Sequence, residues 1–178
     1  MASADCVAGD PSSSPKHSNG HASPVDLLRR FHKLQAERVE GYKVFEQAFD
    51  TFINGIPEYN FNEYKQRVAE ITLSFRRISE EIIHIKNCLK DTHNQQHISA
   101  IIEKIQELEE AKLKSTADLQ IARNNAADEQ ENDHHQQEIL ALRHKLDELG
   151  QEIRDVLEDL KFESEDLYAQ EAEDEMSR

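Results

Sequence analysis

Apolar residues recur at alternating steps of three and four along two stretches of this chain. The first series is Phe61, Tyr64, Val68, Ile71, Phe75, Ile78, Ile82, Ile85 and Leu89, and the second is Ile139, Leu142, Leu146, Leu149, Ile153, Val156 and Leu160. Such spacing keeps one stripe of a helix apolar over its whole length, so each helix must lie against another element. The pattern therefore predicts long helices that pack side by side.

Capping residues place the starts of two helices. Ser23 is followed directly by Pro24, and Asp26 lies three residues after Ser23. Serine caps a first turn, proline suits the first helical position, and a carboxylate is favoured at the positive end of a helix. Asn60 and Glu63 form a similar pair at the start of the first apolar series.

The whole pattern predicts an all-α fold, namely an elongated antiparallel helical bundle or coiled coil of about four long helices. The predicted segments are a disordered tail over 1–22, a bundle domain over 23–163 with helices over 24–54, 61–90, 96–123 and 135–162, and an acidic tail over 164–178. The seam of the third helix becomes small and polar in its second half, where we expect looser packing. Short connections between long helices favour antiparallel neighbours.

Composition agrees with a helical assembly protein. Hydrophobic residues make up 37% and charged residues 32%, with 5 Gly, 4 Pro and no Trp, which is unlike sandwiches or α/β enzymes. The net charge of −15 is uneven, because 24–90 holds 11 basic against 10 acidic residues and 91–178 holds 9 against 24. Direct nucleic-acid binding is not expected, since the basic clusters are small and interleaved with acids. These clusters are Arg29, Arg30 and Lys33 on helix one, and Arg76 and Arg77 on helix two.

No apolar run approaches the ~18–20 residues that span a bilayer, and the first twenty residues lack the pattern of a signal peptide. Cys6 and Cys88 give no disulfide framework. We therefore expect a soluble protein of a reducing compartment, the nucleus or the cytoplasm or both, with no membrane partner.

The sequence contains no phosphate-binding glycine loop and no nucleophile motif, so we expect no catalytic residue, no enzyme activity and no cofactor. Cys88, His93 and His97 are spaced like metal ligands, but a structural zinc site needs four donors and no second cysteine is near. We interpret these residues as part of a helix–helix turn and expect no metal site.

Ser23-Pro24 is also a common type of kinase acceptor pair, which makes Ser23 a candidate phosphorylation site. A phosphate at this N-cap would lie on the positive end of the first helix and is expected to stabilise the first turn. The alternative is that Ser23 is a plain N-cap serine.

Four sequence segments together resemble a known family. They are Leu34-Gln35-Ala36-Glu37-Arg38, Tyr59-Asn60-Phe61 with Tyr64, Leu108-Glu109-Glu110, and Val156-Leu157-Glu158-Asp159-Leu160-Lys161-Phe162. The resemblance is to the Required for Excision 1-B domain family, and it runs from about Val25 to Leu167. The resemblance implies a role in DNA repair, with DNA-repair factors among the protein partners. It implies no enzyme activity and no set of catalytic residues.

These observations favour a non-enzymatic adaptor or scaffold that supports DNA excision repair through protein–protein contacts, with self-association as a further option. The candidate partner interface consists of Gln35, Glu37, Arg38, Tyr59, Phe61 and Tyr64. For the three tyrosine and phenylalanine residues, capping of the bundle end is the alternative to an exposed binding tip. The alternative functions are a generic coiled-coil subunit of a cytoskeletal or trafficking assembly in the cytoplasm, and a weak nucleic-acid contact protein.

Overall fold

The computed structural model describes residues 22–55, 60–128 and 133–177. Over these ranges the chain forms five α-helices and no strand. They are α1 (Pro24–Asn54), α2 (Phe61–Asp91), α3 (Gln96–Asp128), α4 (Asp133–Glu163) and α5 (Glu165–Met176). The predictions of an all-α fold and of four long helices are confirmed. The predicted disordered tail lies outside the described residues, apart from Ala22.

The predicted caps are present at the starts of α1 and α2. The Ser23 hydroxyl accepts a hydrogen bond from the Asp26 backbone N–H at 3.0 Å, and the Ser23 backbone N–H donates to the Asp26 carboxylate at 3.4 Å. Asn60 accepts from the Glu63 backbone N–H at 3.1 Å. Each cap satisfies a backbone donor that the helix itself leaves unpaired.

The turn between α2 and α3 uses asparagine where glycine is common. Asn94 has φ 56°, in the left-handed region that asparagine tolerates better than most residues. The backbone N–H of Gln95 then donates to the carbonyl of Leu89 at 2.8 Å. This bond satisfies one of the last carbonyls of α2 and returns the chain antiparallel along it.

The four long helices pack in chain order, each antiparallel to the next. Arg30 of α1 is paired with Glu81 of α2 at 2.5 Å. Lys104 of α3 is paired with Glu152 of α4 at 3.1 Å. As a result α1 and α3 run in the same direction. The two ends of the bundle differ in the residues that form their cores.

At one end, which we name the closed end, all four long helices share one apolar core. It contains Leu27, Leu28, Phe31 and Leu34 of α1, Ile78, Ile82, Ile85, Cys88 and Leu89 of α2, Ile98, Ile102, Ile105 and Leu108 of α3, and Ile153, Val156 and Leu160 of α4. At the other end, the open end, two smaller clusters are separate. One is centred on Phe45, Ile71 and Phe75, and the other on Leu119, Ala122 and Ile139.

The last segment, which the sequence predicts as an acidic tail, forms the helix α5 over Glu165–Met176. The chain changes direction at the buried Ser164, whose hydroxyl donates to the Lys161 carbonyl at 3.1 Å. Leu167 and Tyr168 then pack against the core of the closed end. Periodicity gave no sign of this helix, because two partly buried side chains make too short an apolar stripe.

The connection between α3 and α4 is also shorter than predicted. Helix α3 continues to Asp128 and α4 begins at Asp133, so only 129–132 lie between them. Those four residues lie outside the described ranges. Within the described ranges, no helix combines the length and apolarity needed to cross a membrane.

The shared core yields a stability prediction from two neighbours on α2. Ile82 is fully buried, whereas Ile83 is 44% exposed. Ile82→Ala is expected to lower the free energy of unfolding by about 3 kcal/mol, because it leaves a cavity in the core. Ile83→Ala serves as the control and should change it by about 0.5 kcal/mol. Urea denaturation measures both, and equal losses would contradict the packing described here.

Candidate partner interface

Aromatic side chains gather where α1 ends and α2 begins. The rings of Phe52 and Tyr64 stack with centroids 4.6 Å apart, and Phe49 meets Tyr64 edge-on at 6.1 Å. Phe61 lies 6.0 Å from Phe52 at the outer side of this cluster. These contacts join the two helix ends, because offset and edge-on pairs of rings attract beyond their apolar area.

A groove with a volume of about 600 Å³ lies between this cluster and α3. Its lining is mostly apolar and consists of Phe45, Phe49, Phe52, Phe61, Tyr64, Val68, Ala117, Gln120, Ile121 and Asn124. Phe61 is 52% exposed and Ile121 is 60% exposed. Two large apolar side chains thus face solvent on opposite walls of one concave surface.

The groove follows from the sequence of α3. The second half of this helix buries the polar residues Ser115, Thr116 and Gln120 and carries the small Ala117 on the groove lining. Small and polar side chains fill less space between helices than the isoleucines of the closed end do. The looser packing predicted for this stretch therefore takes the form of an open groove beside α1 and α2.

Polar contacts hold the two sides of the groove in place. Tyr64 donates its hydroxyl to Gln120 Oε1 at 2.7 Å, and Gln120 Nε2 donates to the Phe45 carbonyl at 3.4 Å. The Arg123 guanidinium is paired with Glu46 at 2.6 Å and with Asp50 at 2.9 Å. Because these bonds join α1, α2 and α3, the groove is preformed in the isolated chain.

Burial, together with the nearby Glu46 carboxylate, raises the pKa of Tyr64. A tyrosine hydroxyl is protonated at neutral pH in any case, and the raised pKa of Tyr64 extends its role as a donor to more alkaline solution. The groove offers apolar surface and aromatic faces, and it is suited to receiving apolar side chains from another molecule.

Two of the predicted interface residues lie in the interior of the bundle and not on its surface. Gln35 is 7% exposed and Arg38 is 2% exposed. Arg38 donates to Gln35 of α1 at 2.6 Å, to Ser79 of α2 at 3.2 Å and to Gln106 of α3 at 2.8 Å. A buried guanidinium needs several acceptors, and these come from three helices, so no single helical pattern reveals them.

The buried polar layer also includes Glu109 and Tyr42. Gln35 Nε2 donates to Glu109 Oε1 at 3.3 Å, and the Tyr42 hydroxyl lies 3.3 Å from Glu109 Oε2, to which it donates. Burial lowers the pKa of Arg38, and the Glu109 carboxylate opposes this shift. Two opposite charges therefore share one solvent-poor region between α1 and α3.

The other predicted interface residues have mixed locations. Glu37 is half-buried and paired with Arg77 at 2.5 Å and with Arg30 at 3.7 Å. Phe61 and Tyr64 belong to the groove, where Tyr64 joins the helix ends and Phe61 is exposed. Tyr59 lies outside the described residues. Sequence reasoning missed Ile121, although helical geometry places a residue two positions after the buried Leu119 on the opposite face of α3, which is a signal of an exposed aliphatic side chain.

The basic clusters of the first two helices are largely neutralised by neighbouring carboxylates. Arg29 is paired with Asp26 and Glu171, and Arg30 is paired with Glu81. The pairs of helix two are Arg76 with Glu80, and Arg77 with both Glu37 and Glu81. Lys33 is exposed on the same helix as Arg29 and Arg30.

The histidines and Ser23 complete the predicted candidates. His97 is paired with Glu163 at 3.3 Å, and no group of three or more potential metal ligands converges within the described ranges. Ser23 is the N-cap of α1, and its hydroxyl donates to Glu171 Oε1 of α5 at 3.2 Å. The sequence alone gave no indication of this long-range partner.

The buried polar layer leads to a prediction about pH. Burial, with the Glu109 carboxylate, raises the pKa of Tyr42 above its ordinary value of 10.0. Above that pH the unfolded chain loses a proton that the folded chain keeps, so the free energy of unfolding falls as pH rises. Tyr42→Phe is expected to lower the free energy of unfolding by about 1 kcal/mol near neutral pH through the lost hydrogen bond. Above pH 10 the free energy of unfolding of this variant should fall less steeply with pH than that of the native chain. Urea denaturation at a series of pH values from neutral to alkaline measures both effects. The same pH dependence in the native chain and the variant would contradict the buried position of the Tyr42 hydroxyl beside Glu109.

Comparison with known proteins places the chain among related sequences. A sequence profile described as DNA repair REX1-B matches residues 26–123. A Required for excision 1-B domain-containing protein of Bos taurus is 29% identical over 140 residues, which cover 79% of this chain and 76% of that protein. The protein of the same name from Mus musculus is 27% identical over 139 residues, with 78% and 80% covered. No solved structure matches the chain. The profile spans more than half of the sequence, and the chain belongs to the DNA repair REX1-B family.

Proposed function

We propose that this chain is a non-enzymatic adaptor that supports DNA excision repair by binding partner proteins, and that the groove at the open end is its binding surface. The observation that carries the proposal is the groove itself, with Phe61 and Ile121 exposed on its two walls. Exposed apolar residues on a concave, preformed surface are typical of protein recognition sites.

The occupant that best fits the groove is an amphipathic helix of the partner. The walls are helices, and a groove between helices receives the apolar face of another helix through side chains spaced three or four residues apart. Lys65 lies 5.5 Å from the centre of the Phe61 ring and places a positive charge at the mouth. We therefore expect an acidic residue beside the apolar residues of the partner segment.

The repair context of the proposal rests on the family, whose name refers to DNA repair. The relatives are named for a requirement in excision. That name specifies a process and no reaction, which agrees with a role carried out by contacts. Partners among the excision-repair factors are thus the first to test.

The experiment is quantitative affinity capture from cells with and without ultraviolet damage. The test variant carries Phe61→Asp and Ile121→Asp, which place charges on both walls of the groove. Capture of repair factors by the native chain is expected to fall about tenfold or more in this variant, because charges in an apolar binding site oppose burial. Both residues are more than half exposed, so the fold should persist.

The matched control carries Leu73→Asp and Leu140→Asp. These residues are 67% and 64% exposed on α2 and α4, outside the groove lining, so the same charge is added at similar exposure. Repair factors retained by the control and lost from the test variant support the proposal. Recovery of only cytoskeletal or trafficking proteins, of DNA-dependent complexes, or of a second copy of this chain would contradict it.

A further inference from the structure

Helix α5 is attached to the start of α1 by few contacts. Glu171 accepts from the Ser23 hydroxyl at 3.2 Å and from the Arg29 guanidinium at 2.7 Å. Leu167 and Tyr168 are partly buried against the core, and no residue of α5 is fully buried. Segments held by few buried contacts open locally at a lower free-energy cost than the core does.

Carboxylates outnumber cations at the junction of α1 and α5. Arg29 is paired with Asp26 as well as with Glu171, so one cation serves two carboxylates. Helix α5 carries further acids on the same short segment, namely Glu165, Asp166, Glu173, Asp174 and Glu175. Arg29 is the cation with which Glu171 is paired, so further negative charge beside Glu171 competes for the same guanidinium.

We propose that Ser23 is a phosphorylation site and that a phosphate there releases α5 from α1. Ser23 is partly exposed at the N-cap of α1 and directly precedes Pro24, and the Ser-Pro pair is the type that a proline-directed kinase modifies. In the transfer, the Ser23 hydroxyl oxygen bonds to the γ-phosphorus of ATP, the bond to the β–γ bridging oxygen breaks, and ADP leaves. The hydroxyl proton passes to the base of the kinase.

The phosphate changes both contacts of Glu171. It removes the hydroxyl hydrogen that Ser23 donates, and it adds about −1.5 to −2 charges next to the carboxylate. Ser23 and Arg29 both contact Glu171, so the new phosphate would compete with Glu171 for the Arg29 guanidinium. The phosphate itself is stabilised by the amide N–H of Asp26 and by the positive end of α1. The first turn of α1 therefore remains capped, and the destabilised contacts are those that attach α5.

The experiment measures amide hydrogen exchange in the full chain after treatment with a proline-directed kinase and ATP. Ser14 precedes Pro15 and is the other Ser-Pro acceptor in the sequence, so Ser14→Ala confines the modification to Ser23. Phosphorylation is expected to speed exchange across 165–176 roughly tenfold, while the α2 segment 78–89 is unchanged. Failure of the kinase to modify Ser23 in the folded chain would overturn the proposal, as would unchanged exchange in α5 after modification.

Two variants separate the mechanism from a general loss of structure. Ser23→Ala leaves Ser14 available, and a phosphate at Ser14 should not change exchange in α5. Glu171→Gln keeps an oxygen acceptor for Ser23 but removes the charge that the phosphate repels. Phosphorylation of Ser23 in this variant should leave exchange in α5 within about twofold of the unmodified variant. A release as large as in the native chain would show that repulsion of Glu171 is not the cause.

Discussion

The buried guanidinium of Arg38 is the constraint on which the arrangement of the first three helices depends. Its hydrogen bonds go to Gln35, Ser79 and Gln106, one on each of α1, α2 and α3. A charge buried without such partners costs several kcal/mol. Sliding α2 or α3 by a turn would remove one of these acceptors from the buried guanidinium, so this layer ties the register of the three helices together.

The same layer divides the molecule into two ends of different character. On the side of the closed end, apolar residues of all four long helices pack in one core. On the side of the open end, the buried residues form one cluster between α1 and α2 and another between α3 and α4. The aromatic groove lies at this separation, bridged by Gln120 and Arg123. The shared core and the groove that we propose as the binding surface thus lie at opposite ends of the same helices.

The sequence predicted what depends on one helix at a time, and it failed where several helices contribute. The regular series in α2 and the caps at Ser23 and Asn60 identified helices and their starts, because these signals are local. Arg38 was interpreted as an interface residue, since its acceptors on α2 and α3 are 41 and 68 residues away. Helix α5 was missed for a related reason, because its attachment depends on Glu171 meeting a residue 148 positions earlier.

Site-specific photo-crosslinking determines whether a repair partner lies in the groove, as we propose. A photoreactive residue at position 61 or 121 should form a covalent product with an excision-repair protein in ultraviolet-treated cells. The same residue at position 73 or 140 should form none, because Leu73 and Leu140 are as exposed as Phe61 and Ile121 but lie outside the groove. Products with repair proteins from all four positions alike, or from 73 and 140 only, would contradict the account.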